Sequence, residues 1–288
     1  MKLEQWVLFI DMLGYRELNG QISDDKSAND FLNFMKNNEK IFLRQNNDDI
    51  KKMYSEGIFD LYLFYEIQVV FISDSLIINY KPLEFFDKKI DEKIRNLHSA
   101  NALFIIIDRI QEFIYHCLKE KNILIRGGVS NKYCSVQNNF AVGEGLIEAY
   151  INESKMAVYP RIVLSSSIID NLPLIESFKF LSWVIYHTDT FLKEDGDGVF
   201  YIDYLKYVIK STQTNMAEND GALVRVGNIL VAHKLVIESK LNDLKNKINN
   251  EADSGKLKEL DKIQAKIIWL KNYYNENVID APPHFKIS

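Results

Sequence analysis

"FIDMLGYRE", residues Phe9 to Glu17, runs from apolar residues into one carboxylate, Asp11, and reaches a glycine three positions later. With the residues before it, "WVLFI" from Trp6 to Ile10 is a continuous apolar run and predicts a buried strand. An aspartate at the end of such a strand has two readings. It can be a turn former or helix cap, because its short side chain accepts from nearby backbone N–H groups. It can also be a chemical group held at the end of a sheet, where a ligand can reach it. The rest of the chain decides between them.

Outward from this strand, polar and helix-compatible sequence extends from about Ser23 to Ser55. Then "FYEIQVVFISDSLIINY", Phe64 to Tyr80, gives two strand-like runs around "SDS" and predicts a tight hairpin with Asp74 at its tip. Between Pro82 and Glu120, apolar residues at Leu97, Leu103, Ile106, Ile110, Phe113 and Leu118 recur near every third or fourth position, which predicts a helix. "NILIRGGVS" (122–130) returns to strand, and "NKYCSVQNNFAVG" predicts two short strands around Gln137, Asn138 and Asn139. "EGLIEAYINESKMA" predicts a short helix, "YPRIVLS" a strand behind Pro160, and "DGDGVFYIDYL" a turn followed by a strand. The fold class expected is α+β, a mostly antiparallel sheet with helices on one face, close to the ferredoxin-like split arrangement. Beyond Lys206 two long helical segments follow, with a turn between Asn249 and Gly255, and these predict an antiparallel pair. The expected division is a domain over 1–206 and a helical pair over 207–288, packed on that domain or on a partner subunit.

If a strand, a helix and the hairpin lie side by side, Asp11 and Asp74 reach one edge. Two carboxylates completed by substrate phosphates and water suit Mg²⁺ or Mn²⁺. A pair of such ions clamps the attacking and leaving oxygens of a phosphoryl transfer. The turn "MLGYR" offers backbone N–H groups for a polyphosphate, and Gly14 allows close approach.

Composition narrows the classes. The 288 residues are 47% hydrophobic with 12 glycines, 5 prolines and a net charge of −5. The chain can bury a core, and nucleic acid is not the expected partner. The first residues lack the apolar core of a signal peptide, and no apolar run reaches membrane length, so neither membrane insertion nor export is expected. With two cysteines, Cys117 and Cys134, a reducing cytoplasmic location is expected. The five histidines show no metal spacing. "EDGDGVFY" places Lys206 where a calcium loop needs its final acid, so it reads as a turn. Trp269, Tyr273 and Tyr274 read as packing residues.

Five stretches, in order, resemble class III nucleotide cyclase domains. "FIDMLGY" is similar to that family's "F-x-D-x-x-G-F" opening, and "FISDSLII" to its "I-G-D" hairpin. "IRGGVSNKY" is similar to its "R-I-G-I" strand, "FAVGEGLIEAYINES" to its "F-G-x-x-V-N-x-A-x-R-x-E" helix, and "RIVLS" to its "I-x-V-S" strand. Within the family, "RGG", "IEAY", "YPRI" and the closing "WLKNYYN" look like a bacterial subgroup that includes the pyrimidine cyclases of the Pycsar anti-phage system.

The resemblance implies a cyclase fold working as a homodimer with sites at the interface, and a separate effector protein responding to the cyclic nucleotide. It implies Asp11 and Asp74 as metal ligands, with the Met12 carbonyl as a further one, and Leu13, Gly14 and Tyr15 as the turn that holds triphosphate. Val70 and Phe140 stand where the family's purine readers stand. Neither can make base-specific hydrogen bonds, so UTP is the expected substrate, then CTP, with ATP or GTP as the alternative. Asn79, Tyr80 and Tyr150 are candidates to read the pyrimidine edge. The family's transition-state Asn and Arg correspond to Ile147 and Ile151, or to Glu148 and Asn152 in a register shifted by one. Arg126, Lys132, Arg161 and Lys193 are candidates for the missing cationic role. A degenerate module that only binds nucleotide or dimerises is the competing reading.

Overall fold

The computed structural model describes residues 2–44, 59–84, 91–138, 140–215 and 220–288. Strand β1 (Trp6–Leu13) is central. A five-residue helix, α1 (Tyr15–Asn19), follows it, then α2 (Asp25–Leu43), the single turn α3 (Leu61–Phe64) and the hairpin of β2 (Tyr65–Ile72) and β3 (Ser75–Pro82). The long helix α4 (Glu92–Lys121) returns the chain to β4 (Leu124–Ser130). These four strands lie in the order β2-β3-β1-β4, all antiparallel to their neighbours. That is the split arrangement expected from the sequence. The helical reading between Ser23 and Ser55 holds through Leu43. Its remainder from residue 45 lies outside the described residues, as do Asn139 and the stretch 85–90 of the second helical reading.

The chain continues through a small hairpin, β5 (Ser135–Gln137) and β6 (Phe140–Val142), to α5 (Glu144–Ile151), whose end winds into a π-turn over Asn152–Met156. Next come β7 (Ile162–Leu164), α6 (Ser166–Ile169), α7 (Leu172–Tyr186), β8 (Leu192–Glu194) and β9 (Phe200–Ile202). Strand β7 joins β4 in parallel and β9-β8 extend that edge, which gives a seven-stranded, mostly antiparallel sheet. Helix α7 and strand β8 went unread in the sequence. Helix α7 packs on α4 through Phe178 stacked on Phe104, ring centroids 4.3 Å apart.

The strand period sorts the two faces. Trp6, Leu8, Ile10 and Met12 of β1 enter the large core, whereas Val7 and Phe9 belong to a small cluster with Val70, Cys134, Val136 and Ala149. Helix α5 lies over that second face. The expectation of helices on one face is therefore corrected: Gly128 of β4 lets a helix cover the other. A Cβ on Gly128 would stand 2.1 Å from the Ala149 carbonyl oxygen, and one on Gly127 2.8 Å from that of Phe9.

Helix α8 (Tyr204–Asn215) leads to the pair α9 (Asp220–Asn250) and α10 (Ser254–Asn277). Ile229, Leu230 and Ile237 of α9, and Ile267, Leu270 and Tyr273 of α10, are buried in the same cluster as the sheet. Position 206 is thus no break in the core, and the pair packs on its own chain. Among the described residues no helix is long and apolar enough to cross a membrane.

Candidate functional site

The register of three strands builds the site. Asp11 of β1 lies opposite Ser75 of β3 on one side and Arg126 of β4 on the other. Asp74 occupies the two-residue turn between β2 and β3, and its carbonyl accepts a 3.1 Å hydrogen bond from the Met12 N–H. Ser73 before it has φ 58°, a left-handed conformation that such tight hairpin turns require. Both acids therefore reach one end of the sheet from separate strands. Met12 sends its side chain into the core, so only its backbone faces this end.

The turn after β1 passes through Gly14 at φ 93°, ψ 3°, a left-handed position that disfavours a side chain even though open space surrounds it. Leu13 and Tyr15 flank it, both half-buried. Tyr15 is anchored edge-on against Phe31 of α2, ring centroids 5.6 Å apart.

One acid of this site was missed by sequence reasoning. Glu153, in the π-turn that ends α5, is 3% exposed and faces Arg126. The Arg126 Nε donates to Asp11 Oδ2 at 3.1 Å and stands 2.7 Å from Glu153 Oε1. The second approach lacks hydrogen-bond geometry, so Glu153 Oε1 is a buried oxygen with no hydrogen-bond partner. Burial pushes the Glu153 carboxyl up to about 7; Arg126 opposes this and the charges of Asp11 and Asp74 add to it. Burial likewise lifts Asp11 above the ordinary carboxylate range, with Arg126 lowering it and Asp74 raising it. Glu153 continues the buried face of Gly145 and Ala149 at four-residue spacing, and the segment then closes in a π-turn through the 2.8 Å bond from Ala157 N–H to Asn152 O. Such turns concentrate at functional sites, and no residue spacing announces them.

The donor set is made of hard oxygens, which suits Mg²⁺ or Mn²⁺. The mutual repulsion of three acids and the orphaned Glu153 oxygen fit a site that gains from added positive charge. Among the described residues no three His, Cys, Asp or Glu side chains converge as a ready-made metal cage. Any ion would be shared with water, backbone and substrate.

The other candidates are placed as follows. Lys132 pairs with Glu144 at 2.6 Å, and Lys193 pairs with Glu276. Arg161 is enclosed, paired to Asp195 and Asp197 and packed against the rings of Tyr159, Tyr201 and Trp269. Of the four, Arg126 is the one that bonds an aspartate of the site, Asp11. Glu148 and Asn152 face β4: Ser130 Oγ and Ser167 Oγ donate to Glu148, and Asn152 Nδ2 donates to the Val129 carbonyl. Ile147 and Ile151 are exposed instead.

Val70 is buried beneath the β5–β6 hairpin, whereas Phe140 on β6 is 74% exposed. Tyr80 is buried on the opposite face, within 3.3 Å of Arg109 Nη1, and is corrected as a base reader. The Asn79 amide is held by Gln5 at 2.6 Å and Gln68 at 2.8 Å. Tyr150 stays half open, edge-on to Phe9. No protein-family model and no curated protein matches the chain.

Proposed function

We propose that the chain is a metal-dependent nucleotidyl cyclase that converts a nucleoside triphosphate, UTP first and CTP second, to a 3′,5′-cyclic mononucleotide and pyrophosphate. One observation carries this reading: the strand register sets Asp11 and the Asp74 turn side by side, next to the left-handed turn at Gly14. The split order of strands and the five ordered motifs support it.

Asp11 and Asp74 would hold Mg²⁺ or Mn²⁺, which when bound supply charge neutralisation for the triphosphate and acidify the ribose 3′-hydroxyl. The chain's own residues do the rest. Arg126 fixes the Asp11 carboxylate by its Nε hydrogen bond. The Leu13–Tyr15 turn positions the phosphates so that the 3′-oxygen attacks the α-phosphate in line and pyrophosphate leaves. Tyr150 and Phe140, open on the second face, would meet the base, with Val70 behind the hairpin. The same face carries exposed Ile147 and Ile151, an apolar surface suited to a second copy of this chain. The product would act on a separate cyclic-nucleotide-responsive effector in anti-phage defence.

A catalytically degenerate nucleotide-binding module is the second reading. It is favoured by Ile147 and Ile151, which bring no polar group to the outer side of α5. Incubating the protein with all four NTPs and Mn²⁺, then resolving products by mass, separates the two. Cyclic UMP is expected to dominate, followed by cyclic CMP. A dominant cyclic AMP or cyclic GMP peak would overturn the base assignment alone, and binding without any cyclic product would favour the degenerate module.

A further inference from the structure

We propose that Lys266 of α10 is a phosphate-binding cation of the candidate site, so that the C-terminal helical pair completes that site. This inference rests on the nucleotide reading of Asp11 and Asp74.

The placement of α10 carries it. Ile263, Lys266, Ile267 and Leu270 share one helical face, spaced at i, i+3, i+4 and i+7. At one end of that face, Ile263 lines a cleft shared with Glu17 of α1, the short helix that begins at the Gly14 turn. At the other end, Leu270 meets Leu124, Ile125 and Pro160 around a small void, at the start of β4 just before Arg126. Between them, Ile267 is buried and Lys266 half-buried. Three positions after Lys266, Trp269 locks the helix in place. Its ring stacks on Tyr159 at 5.3 Å and 6° between planes, and its Nε1 donates to Asp195. Tyr159 follows the π-turn that carries Glu153, so the anchor and the site share one short segment.

The charges agree with this geometry. The charged groups acting on Lys266 are Arg126, Asp11 and Glu153, those of the site itself. Burial and then Arg126 hold its ammonium below the usual lysine range, while Asp11 and Glu153 draw it back up. Arg126 is engaged by Asp11 and Glu153, whereas Lys266 makes no ion pair within 4 Å among the described residues. An ammonium on a flexible stem beside a carboxylate metal site binds phosphate oxygens as a point charge. The chemistry it fits is the polyphosphate of the substrate and the pyrophosphate product. None of the cationic candidates drawn from the strands and loops comes from this helix, because its contact with β4 is purely tertiary.

The test uses the full chain and inorganic tripolyphosphate with Mn²⁺ as the calorimetric probe, alongside NTP turnover. Lys266→Ala is expected to weaken tripolyphosphate binding and raise KM by about ten- to a hundredfold, the scale of one charge-assisted hydrogen bond. Lys266→Arg should restore most of this, and Lys262→Ala, one turn earlier and exposed, should change nothing. If wild type binds and turns over while Lys266→Ala matches it, the inference falls and the nucleotide reading stands. A loss that Lys266→Arg does not rescue, accompanied by a lower thermal midpoint, marks a structural lysine and also overturns it. Wild type that neither binds tripolyphosphate nor turns over any NTP removes the reading, and the inference with it.

Discussion

Asp11 differs from an ordinary turn aspartate in what surrounds it. Asp24 shows the ordinary case: it caps α2 by accepting from the Ser27 N–H at 2.7 Å, which lowers its carboxyl below the usual range. Asp11 caps nothing, is partly buried, and lies within electrostatic reach of Asp74 and Glu153. Asp11→Asn and Asp74→Asn should each remove turnover with Mn²⁺ by more than the roughly 10–100-fold that loss of a supporting residue costs at a metal site. The folding transition should be little changed, because neither side chain fills the core. Near-native activity in either variant would remove the acid from the site. The two aspartates were legible in the sequence, because strand ends and hairpin tips are read from period and turn chemistry. Glu153 was not, since a carboxylate on the buried side of α5 gains its meaning only from Arg126 of β4 beneath it.

At the scale of elements, the decisive contact is α5 lying on β4. Gly128 permits it, and the obstacle to any larger residue is backbone: a Cβ there would stand 2.1 Å from Ala149 O and 2.8 Å from Glu153 N. Side-chain rotation cannot relieve that overlap. Gly128→Ala should destabilise the fold by about 1–3 kcal/mol, the usual cost of overpacking, and should displace Glu153 from Arg126. Denaturant titration measures the first effect. A variant as stable and as active as wild type would show that α5 is free to lift. A second element-level test concerns α9. His233 is buried, with Nδ1 2.8 Å from Ile229 O and Nε2 3.0 Å from the Tyr204 hydroxyl. Burial pushes its imidazole down to about 4. A depressed folded-state pKa gives stability that is full above the unfolded value near 6.5 and is lost as pH falls from there to about 4. The loss reaches about 3 kcal/mol. Unfolding free energies at pH 7.5, 5.5 and 4 should show this decline, and His233→Gln should flatten it while lowering stability at pH 7.5. Equal slopes in both proteins would assign the acid sensitivity to other groups.

For the whole molecule, the question is what covers the second face of the sheet. Ile147 and Ile151 of α5, with Phe140 and Val142 of β6, leave an apolar surface open beside the candidate site. A second copy of the chain on that surface would make activity per chain fall on dilution. Ile147→Glu should weaken such a dimer by about 10- to 100-fold, the equivalent of one buried aliphatic side chain. Light scattering across a dilution series checks this, and a monomer active at every concentration would exclude it. The sequence by itself determined the order of the first four strands, the α+β class, the helix before β4, the C-terminal helical pair and the positions of Asp11 and Asp74. These follow from local periodicity and turn residues, which each segment carries alone. Tertiary structure decided what those segments meet. It placed α5 on the second face through Gly128. It enclosed Arg161 among Asp195, Asp197 and three rings, and it brought Glu153 and Lys266 to the same end of the sheet. Those meetings join residues from about twenty to more than a hundred positions apart, on separate elements, and the spacing of neighbours along a chain holds no record of them.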